Sequence, residues 1–417
     1  MKSQNIIDHL FRHQYGKMVA ILTRIFGLEN LELVEDAVQD TFAQAIQKWQ
    51  IKIPENPEAW LTKAAKNRVI DIIRKLNADQ RRAEKLDYGP SVIAIDQLFG
   101  KEEIEDSELR MIFTACHPDL DPRDQISFAL KTISGFSQNE IAASLLLKTE
   151  TVKKRLSRAR KTISQKKIAF KLPLGRELHD RLDSVCKVLY LIFNEGFHSN
   201  HKKLLVRKDL CGEALRLTKI LLSKHEFQTG KSYALFGLFC LHASRIESKV
   251  DENFESIGLE HQDRSQWFPP LIELGKNALF KSSEFDDYSI YHVEAAIALE
   301  HIKSPSFEET NWEQILSYYE QLKEVQSNPV TELSIATVKL HLNKFDEVER
   351  ILNELEKKDL DQKTYLFFGV LSKFHERKGD VKKAISCLDE AIEHAKNLTE
   401  RAYLEKKRTR LLNVDKG

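Results

Sequence analysis

The sequence predicts an all-α protein. Helix breakers are sparse, with 15 Gly and 10 Pro in 417 residues. Apolar residues recur at helical spacing through most of the chain. Start and stop signals such as Asp121-Pro122, Ser137 and Gly135 bracket those periodic runs. A chain of this length predicts two or three domains.

Bulk properties narrow the class. Apolar residues make up 42% and charged residues 30%, a soluble globular composition. The formal net charge of +1 excludes a polycationic chain, so any nucleic-acid surface is local. The opening "MKSQNIIDHLFRH" lacks the apolar core of a signal peptide, and no run reaches the length of a spanning helix. Five scattered cysteines predict free thiols in a reducing cytoplasm. Cys116-His117 could begin a metal site, but no second pair stands at finger spacing. No metal and no cofactor are therefore expected.

Residues 6–50 predict two helices. The second, "LELVEDAVQDTFAQAIQKW", places Leu33, Ala37, Phe42, Ala45 and Trp49 near one stripe and puts Glu32, Glu35, Asp36 and Asp40 elsewhere on its surface. That acidic face suits a basic or mixed protein partner. A third helix starts near Pro57. Leu61, Ala65, Val69, Ile72, Ile73 and Leu76 form its apolar stripe, and Lys63, Lys66, Asn67, Arg68, Arg74 and Lys75 decorate the rest. Residues 77–107 lack sustained periodicity and contain the acidic "KEEIEDSE". They predict a linker with short helical pieces.

Helices resume from Ser107. "FSQNEIAASLLL" carries capping-box spacing at Ser137 and Glu140. A break at Leu147–Lys148 precedes "TETVKKRLSRARKTI", with Thr149 as the expected N-cap and Val152, Leu156, Ala159 and Ile163 as the buried seam. A short capped helix, a tight turn and a basic second helix make a helix-turn-helix. The basic residues have almost no Glu at i±4 to neutralise them. In such a motif the second helix enters the major groove, which puts Glu150, Thr151, Lys153 and Lys154 at base edges and Arg155, Arg158 and Arg160 nearer phosphates.

After "KLPLG" (171–175) the chain reads as helical to its end. Asn343 and Gly379 stand 36 residues apart, as do Phe345 and Val381, in two similar turn-plus-helix stretches. This spacing predicts helical-hairpin repeats near the 34-residue tetratricopeptide period, with a plain antiparallel bundle as the alternative. Asn194-Glu195 and His261–Arg264 read either as acid–base pairs or as hydrogen-bonded caps that lock helices. There is no P-loop, dinucleotide turn, HExxH or nucleophile elbow, so no catalytic residues and no enzyme activity are expected.

These segments resemble a known family. "EIAASLLLKTETVKKRLSRARKTI" is similar to region four of bacterial extracytoplasmic-function sigma factors, which reads the minus-thirty-five promoter element. "VEDAVQDTFAQAIQKW" resembles their helix that docks on the β′ clamp, and "NPEAWLTKAAKNRVIDIIRK" resembles the regions that melt and read the minus-ten element. "LRMIFTACHP", "VLYLIFNEGF", "HQDRSQW" and "NWEQILSYYEQL" resemble the subgroup with a long C-terminal helical, tetratricopeptide-like extension. Two departures stand out: Ser334 replaces a usual Asn, and Ala115-Cys116 replaces a usual Cys pair.

The resemblance implies region 2 over 1–76, a linker over 77–107, region 4 over 108–170 and an extension over 176–417 with repeats near 330–410. It implies core RNA polymerase (β′ and β subunits) and promoter DNA as partners, with no membrane partner. Glu35, Asp36, Gln39 and Asp40 would then contact polymerase. Trp60, Lys63, Lys66, Asn67 and Arg74 would join the basic helix on DNA. The extension would be regulatory, through a protein partner or an intramolecular contact. The competing readings are a helix-turn-helix regulator with a sensing domain and an enzyme fused to a DNA-binding module. A plain regulator leaves the N-terminal acidic and basic helices unexplained.

Overall fold

A computed structural model describes residues 2–50, 52–81, 101–145, 147–198, 206–251, 257–326, 328–357, 364–395 and 398–415. Among them are eighteen α-helices and no strand. The chain divides into two compact units, 1–191 and 192–417.

The first unit contains α1 (Lys2–Phe26), α2 (Leu31–Lys48), α3 (Pro57–Arg81), α4 (Lys101–Ala115), α5 (Pro122–Thr132), α6 (Gln138–Ser144), α7 (Thr149–Gln165) and most of α8 (Glu177–Phe197). At its centre is α1, which packs against α2, α3 and α4 and buries Tyr15, Val19, Ala20 and Leu22. Phe11 meets Phe42 of α2 edge-on at 4.8 Å. Arg24 of α1 pairs with Glu103 and Asp106 of α4. Gly16 is required by a close approach: a Cβ there would lie 1.8 Å from the carbonyl oxygen of Ile133, just past α5.

The stretch 77–107 is helical at both of its described ends. The third helix runs to Arg81 and α4 begins at Lys101, six residues before the expected start at Ser107. The rest of that stretch, 82–100, lies outside the described residues. Ser107 and Glu108 are buried inside α4, so its acidic first turn belongs to a packed helix.

The Cys116-His117 pair has a packing role. Ser184 of α8 donates to the Cys116 carbonyl at 2.6 Å, and Arg181 donates to the Phe113 carbonyl at 2.8 Å. These bonds satisfy carbonyls left over at the end of α4. His117 Nδ1 accepts from the Asp119 N–H at 3.1 Å.

The second unit begins at the end of α8 and continues through α9 (Lys208–Leu221), α10 (Gly230–Ala243), α11 (Pro269–Ser282), α12 (Ile290–Lys303), α13 (Trp312–Val325), α14 (Pro329–His341), α15 (Phe345–Leu355), α16 (Thr364–Arg377), α17 (Val381–His394) and α18 (Leu398–Asp415). Helix α10 is apolar on every side and is surrounded by α9, α11 and α12. Phe193 stacks on its Phe239 at 4.2 Å. From α13 onward each helix packs mainly on its sequence neighbour.

The 36-residue spacing has a backbone cause. Asn343 (φ 59°) and Gly379 (φ 80°) both adopt the left-handed conformation. Lys344 N–H bonds the Lys339 carbonyl and Asp380 N–H bonds the His375 carbonyl. Asn343 and Gly379 N–H bond carbonyls three residues back. Both are Schellman turns, so α14–α15 and α16–α17 are equivalent hairpins. Their apolar faces merge into one cluster around Leu340, Val348, Leu352 and Phe374.

Replacing Gly16 with Ala should destabilise the first unit by about 1–3 kcal/mol, because the obstructing atom is backbone and cannot rotate away. An unchanged midpoint for the unfolding of the first unit would show that α1 and the end of α5 are further apart than described.

Candidate nucleic-acid interface

The helix-turn-helix is assembled from α5, α6 and α7. The Ser137 Oγ accepts from the Glu140 N–H at 3.2 Å, and the Glu140 carboxylate accepts from the Ser137 N–H at 2.8 Å. This capping box fixes the start of α6. The N-cap of α7 is Lys148, not Thr149. Thr149 is the first helical residue and donates its hydroxyl to Asn139 Oδ1 at 3.1 Å, which ties the two helices across the turn. Val152, Leu156, Ala159 and Ile163 are all buried, so the expected seam is the packed face.

Opposite that seam, Glu150, Lys153, Lys154 and Arg158 are exposed, and Thr151 and Arg155 are half-buried. Lys153 shares a 2.7 Å pair with Glu150. Lys148, Lys154 and Lys161 face solvent with no ion pair among the described residues.

The arginines are neutralised, though not along their own helix. Arg158 forms a two-bond pair with Asp124, Nε at 3.0 Å and Nη2 at 2.7 Å. Asp124 lies in the first turn of α5, where the helix dipole favours a carboxylate. Arg155 donates to the Arg123 carbonyl at 3.3 Å. Arg160 leaves the helix-turn-helix altogether. Its Nη2 lies 2.6 Å from Glu35 and its Nη1 lies 3.0 Å from Glu32, both on α2.

That pair corrects the expected exposure of Glu35. Its side chain is only 3% exposed, whereas Asp36, Gln39 and Asp40 on the same helix are exposed. The cause is tertiary: α2 turns Glu35 toward Arg160 and the buried Tyr15. Burial pushes the Glu35 carboxyl above its ordinary range, although Arg160 and Lys131 pull the other way. One of its oxygens has no hydrogen-bond partner. Gln39 reaches back to the Tyr15 hydroxyl at 3.5 Å, and Asp40 pairs with Arg68 of α3 at 2.9 Å.

On α3, Lys63 and Asn67 are exposed and Trp60 is half-buried, 5.5 Å edge-on from Trp49. Lys66 is buried at 7% exposure, which corrects its expected surface position. Its spacing places it beside Ala65 and Val69, on the packed side of the helix. The side chain of Arg74 lies outside the described residues.

Two partners in this interface, Asp124 for Arg158 and Glu32 for Arg160, are not detectable from sequence spacing. The polar sets of the second unit lock structure together. Asp263 caps the turn through Ser265 N–H at 2.9 Å, and Arg264 donates to the carbonyls of His301 (2.6 Å) and Ser304 (2.7 Å). Ser334 donates to the Val330 carbonyl at 3.0 Å.

A capped helix-turn-helix with an exposed basic face, joined in one unit to an acidic helix and a basic one, defines a sigma-type promoter-recognition protein. Family models agree: sigma-70 region 2 matches residues 10–78, and sigma-70 region 4 matches 110–163. A family of unknown function (DUF6596) matches 181–283. The chain is 30% identical over 382 residues to an uncharacterized protein, R00370, of Rhizobium meliloti (strain 1021), covering 90% of this chain and 89% of that one. It is 30% identical over 157 residues to the ECF RNA polymerase sigma factor SigE of Mycolicibacterium smegmatis, covering 37% of this chain and 59% of that one. No solved structure matches. The chain belongs to the extracytoplasmic-function RNA polymerase sigma factors, in a form with a C-terminal extension. Such a factor binds core polymerase and promoter DNA.

Because the folded Glu35 carboxyl titrates above its ordinary value of 4.5, its protonated form favours folding. That contribution is complete below pH 4.5 and disappears as pH rises through the folded value. Glu35→Gln should therefore gain stability relative to the native chain as pH rises from 4 to neutrality, in urea titrations across that range. A stability difference independent of pH would mean that Glu35 is not buried against Arg160.

Proposed function

We propose that α7 reads the minus-thirty-five element, α3 the minus-ten element, and the exposed face of α2 docks on the polymerase β′ clamp. The observation that carries this reading is the face of α7 opposite its seam. Lys154 and Lys161 stand there without an ion pair among the described residues, beside Lys153 and Arg158, and Lys148 is exposed at the N-cap of the same helix. Phosphates supply the missing counter-charge. Asp36, Gln39 and Asp40 offer a matching acidic surface for a protein partner. The chain works in the cytoplasm without catalysing a reaction itself. The functional segments are 1–76, 108–170 and the extension from 176, which modulates initiation.

The Arg160 pairs give this reading a resting state. While Arg160 is bound to Glu35 and Glu32, it cannot reach a phosphate, and part of α2 is covered by α7. Docking on polymerase through the neighbouring Asp36, Gln39 and Asp40 would crowd the α7 contact on the same helix and free α7 for DNA. Holding both modules on polymerase also removes the ordering cost of binding two promoter elements.

Two experiments test the assignment. Lys153→Ala, Lys154→Ala and Arg158→Ala together should weaken promoter binding by the polymerase complex. They should also lower the salt slope by roughly 0.9 for each phosphate contact removed. Unchanged affinity and slope would return α7 to an ordinary surface helix. Asp36→Arg with Asp40→Arg should abolish co-elution with core polymerase while leaving the circular dichroism spectrum intact. Normal co-elution would move the docking face elsewhere.

A further inference from the structure

The second unit holds a cavity of about 310 Å³, at the small end of the range for small-molecule sites. It is lined by side chains far apart in sequence, among them Glu260, His301, Trp312, Tyr319, His341 and Lys373. One wall is a rigid aromatic slab. The Trp312 and His341 rings stack with centroids 4.1 Å apart and planes 7° apart. Phe307 meets both edge-on, at 5.0 and 5.2 Å.

The polar side of the cavity is incompletely satisfied. Lys373 Nζ makes two long contacts, 3.4 Å to Glu260 and 3.4 Å to His341 Nε2. His301, which lines the cavity, has a buried Nδ1 with no hydrogen-bond partner among the described residues. An unmet buried donor or acceptor costs about 1–3 kcal/mol, so these groups favour a polar guest.

The local charge is positive. Burial, with Arg245, Arg264 and His341 alongside, lowers His301 to about 3. Burial, with Lys373 and Arg377, lowers His341 to about 4. Both imidazoles are neutral at pH 7 and sit among cations. Glu260 is the one carboxylate lining the cavity. Burial alone would raise it, but Lys373, His261 and Lys407 hold it below its ordinary value, so it stays ionised. Glu376, outside the lining, is shared between Lys407 and Arg410.

We propose that this cavity binds a small aromatic carboxylate, with its ring against the Trp312–His341 slab and its carboxylate between Lys373 and His301. A planar body suits flat aromatic walls. A single negative charge suits surroundings in which Arg245, Arg264, Lys373, Arg377 and Lys407 outnumber Glu260, Glu308 and Glu376. A phosphate dianion would face Glu260 at close range. The guest would bridge α12, α13, α14 and α16, and so would stiffen the hairpins against one another. The binding claim does not depend on the transcription assignment, and the test reads binding alone.

The full chain is titrated by calorimetry and thermal shift with benzoate and 4-hydroxybenzoate. Benzamide keeps the ring without the charge, cyclohexanecarboxylate keeps the charge without the flat ring, and inorganic phosphate offers the charge alone. The proposal expects saturable binding of a benzoate, with a raised unfolding midpoint. It expects each control to be weaker by about tenfold or more. Lys373→Met should reduce benzoate affinity by a similar factor, and Lys373→Arg should retain it. Lys373 is partly exposed, so both variants are expected to fold, which circular dichroism checks. If Lys373→Met fails to fold, the Lys373→Arg and benzamide comparisons decide. Three results would overturn the proposal: no saturable benzoate binding up to millimolar concentration, equal binding of benzamide, or affinity unchanged in folded Lys373→Met. Preferential binding of phosphate would overturn it as well.

Discussion

Arg160 lies on α7, which we propose reads DNA, yet its guanidinium is clamped between Glu35 and Glu32 on α2, the helix proposed to dock on polymerase. A carboxylate as buried as Glu35 costs several kcal/mol to desolvate, and Arg160 offsets that cost only in part, since the carboxyl still titrates above its ordinary value. Removing either partner leaves the other charge stranded. The pair therefore couples two surfaces that are proposed to act on different partners. Gly16 against Ile133, and Arg24 against Glu103 and Asp106, hold α1 to the same framework. The first unit is consequently a closed body in which both working faces are partly occupied.

Arg158 differs from Arg160 in a way that matters for this coupling. Its side chain is 62% exposed, and Asp124 holds it from one side only. Asp124 itself is buried at 5% side-chain exposure, so a phosphate that draws Arg158 away leaves that carboxylate with only the dipole of α5 to offset its burial. Arg160 is a quarter exposed and its buried partner lies on α2, so its release requires α2 and α7 to part, whereas the buried partner of Arg158 lies on α5 within the helix-turn-helix. The basic face of α7 thus combines exposed lysines with two arginines, Arg158 and Arg160, each held by a buried carboxylate.

Periodicity made the helices of the first unit legible, because a 3.6-residue pattern is local. The seam Val152–Leu156–Ala159–Ile163 and the capping box at Ser137 needed only neighbouring residues. The Asn343 and Gly379 turns were legible for the same reason, since a left-handed residue favours Asn or Gly wherever it occurs. Neutralisation of the arginines was not. Asp124 precedes Arg158 by 34 residues, and Glu35 precedes Arg160 by 125. A search at i±4 cannot see either partner. The same limit hid the burial of Glu35 and Lys66, which tertiary packing imposes on positions that read as surface. It also hid the cavity of the second unit, whose walls come from segments between 258 and 403.

The central claim is that α2 and α7 are latched in the free protein and separate on polymerase. Spin labels at Gln39→Cys and Lys161→Cys, both exposed positions, report that distance directly. Four native cysteines are buried, and the half-buried Cys387 is replaced by Ser to keep labelling specific. Pulsed dipolar spectroscopy should give a single short, narrow distance in the free protein and a longer one with core polymerase bound. A broad distribution in the free protein, or the same short distance in both states, would contradict the latch.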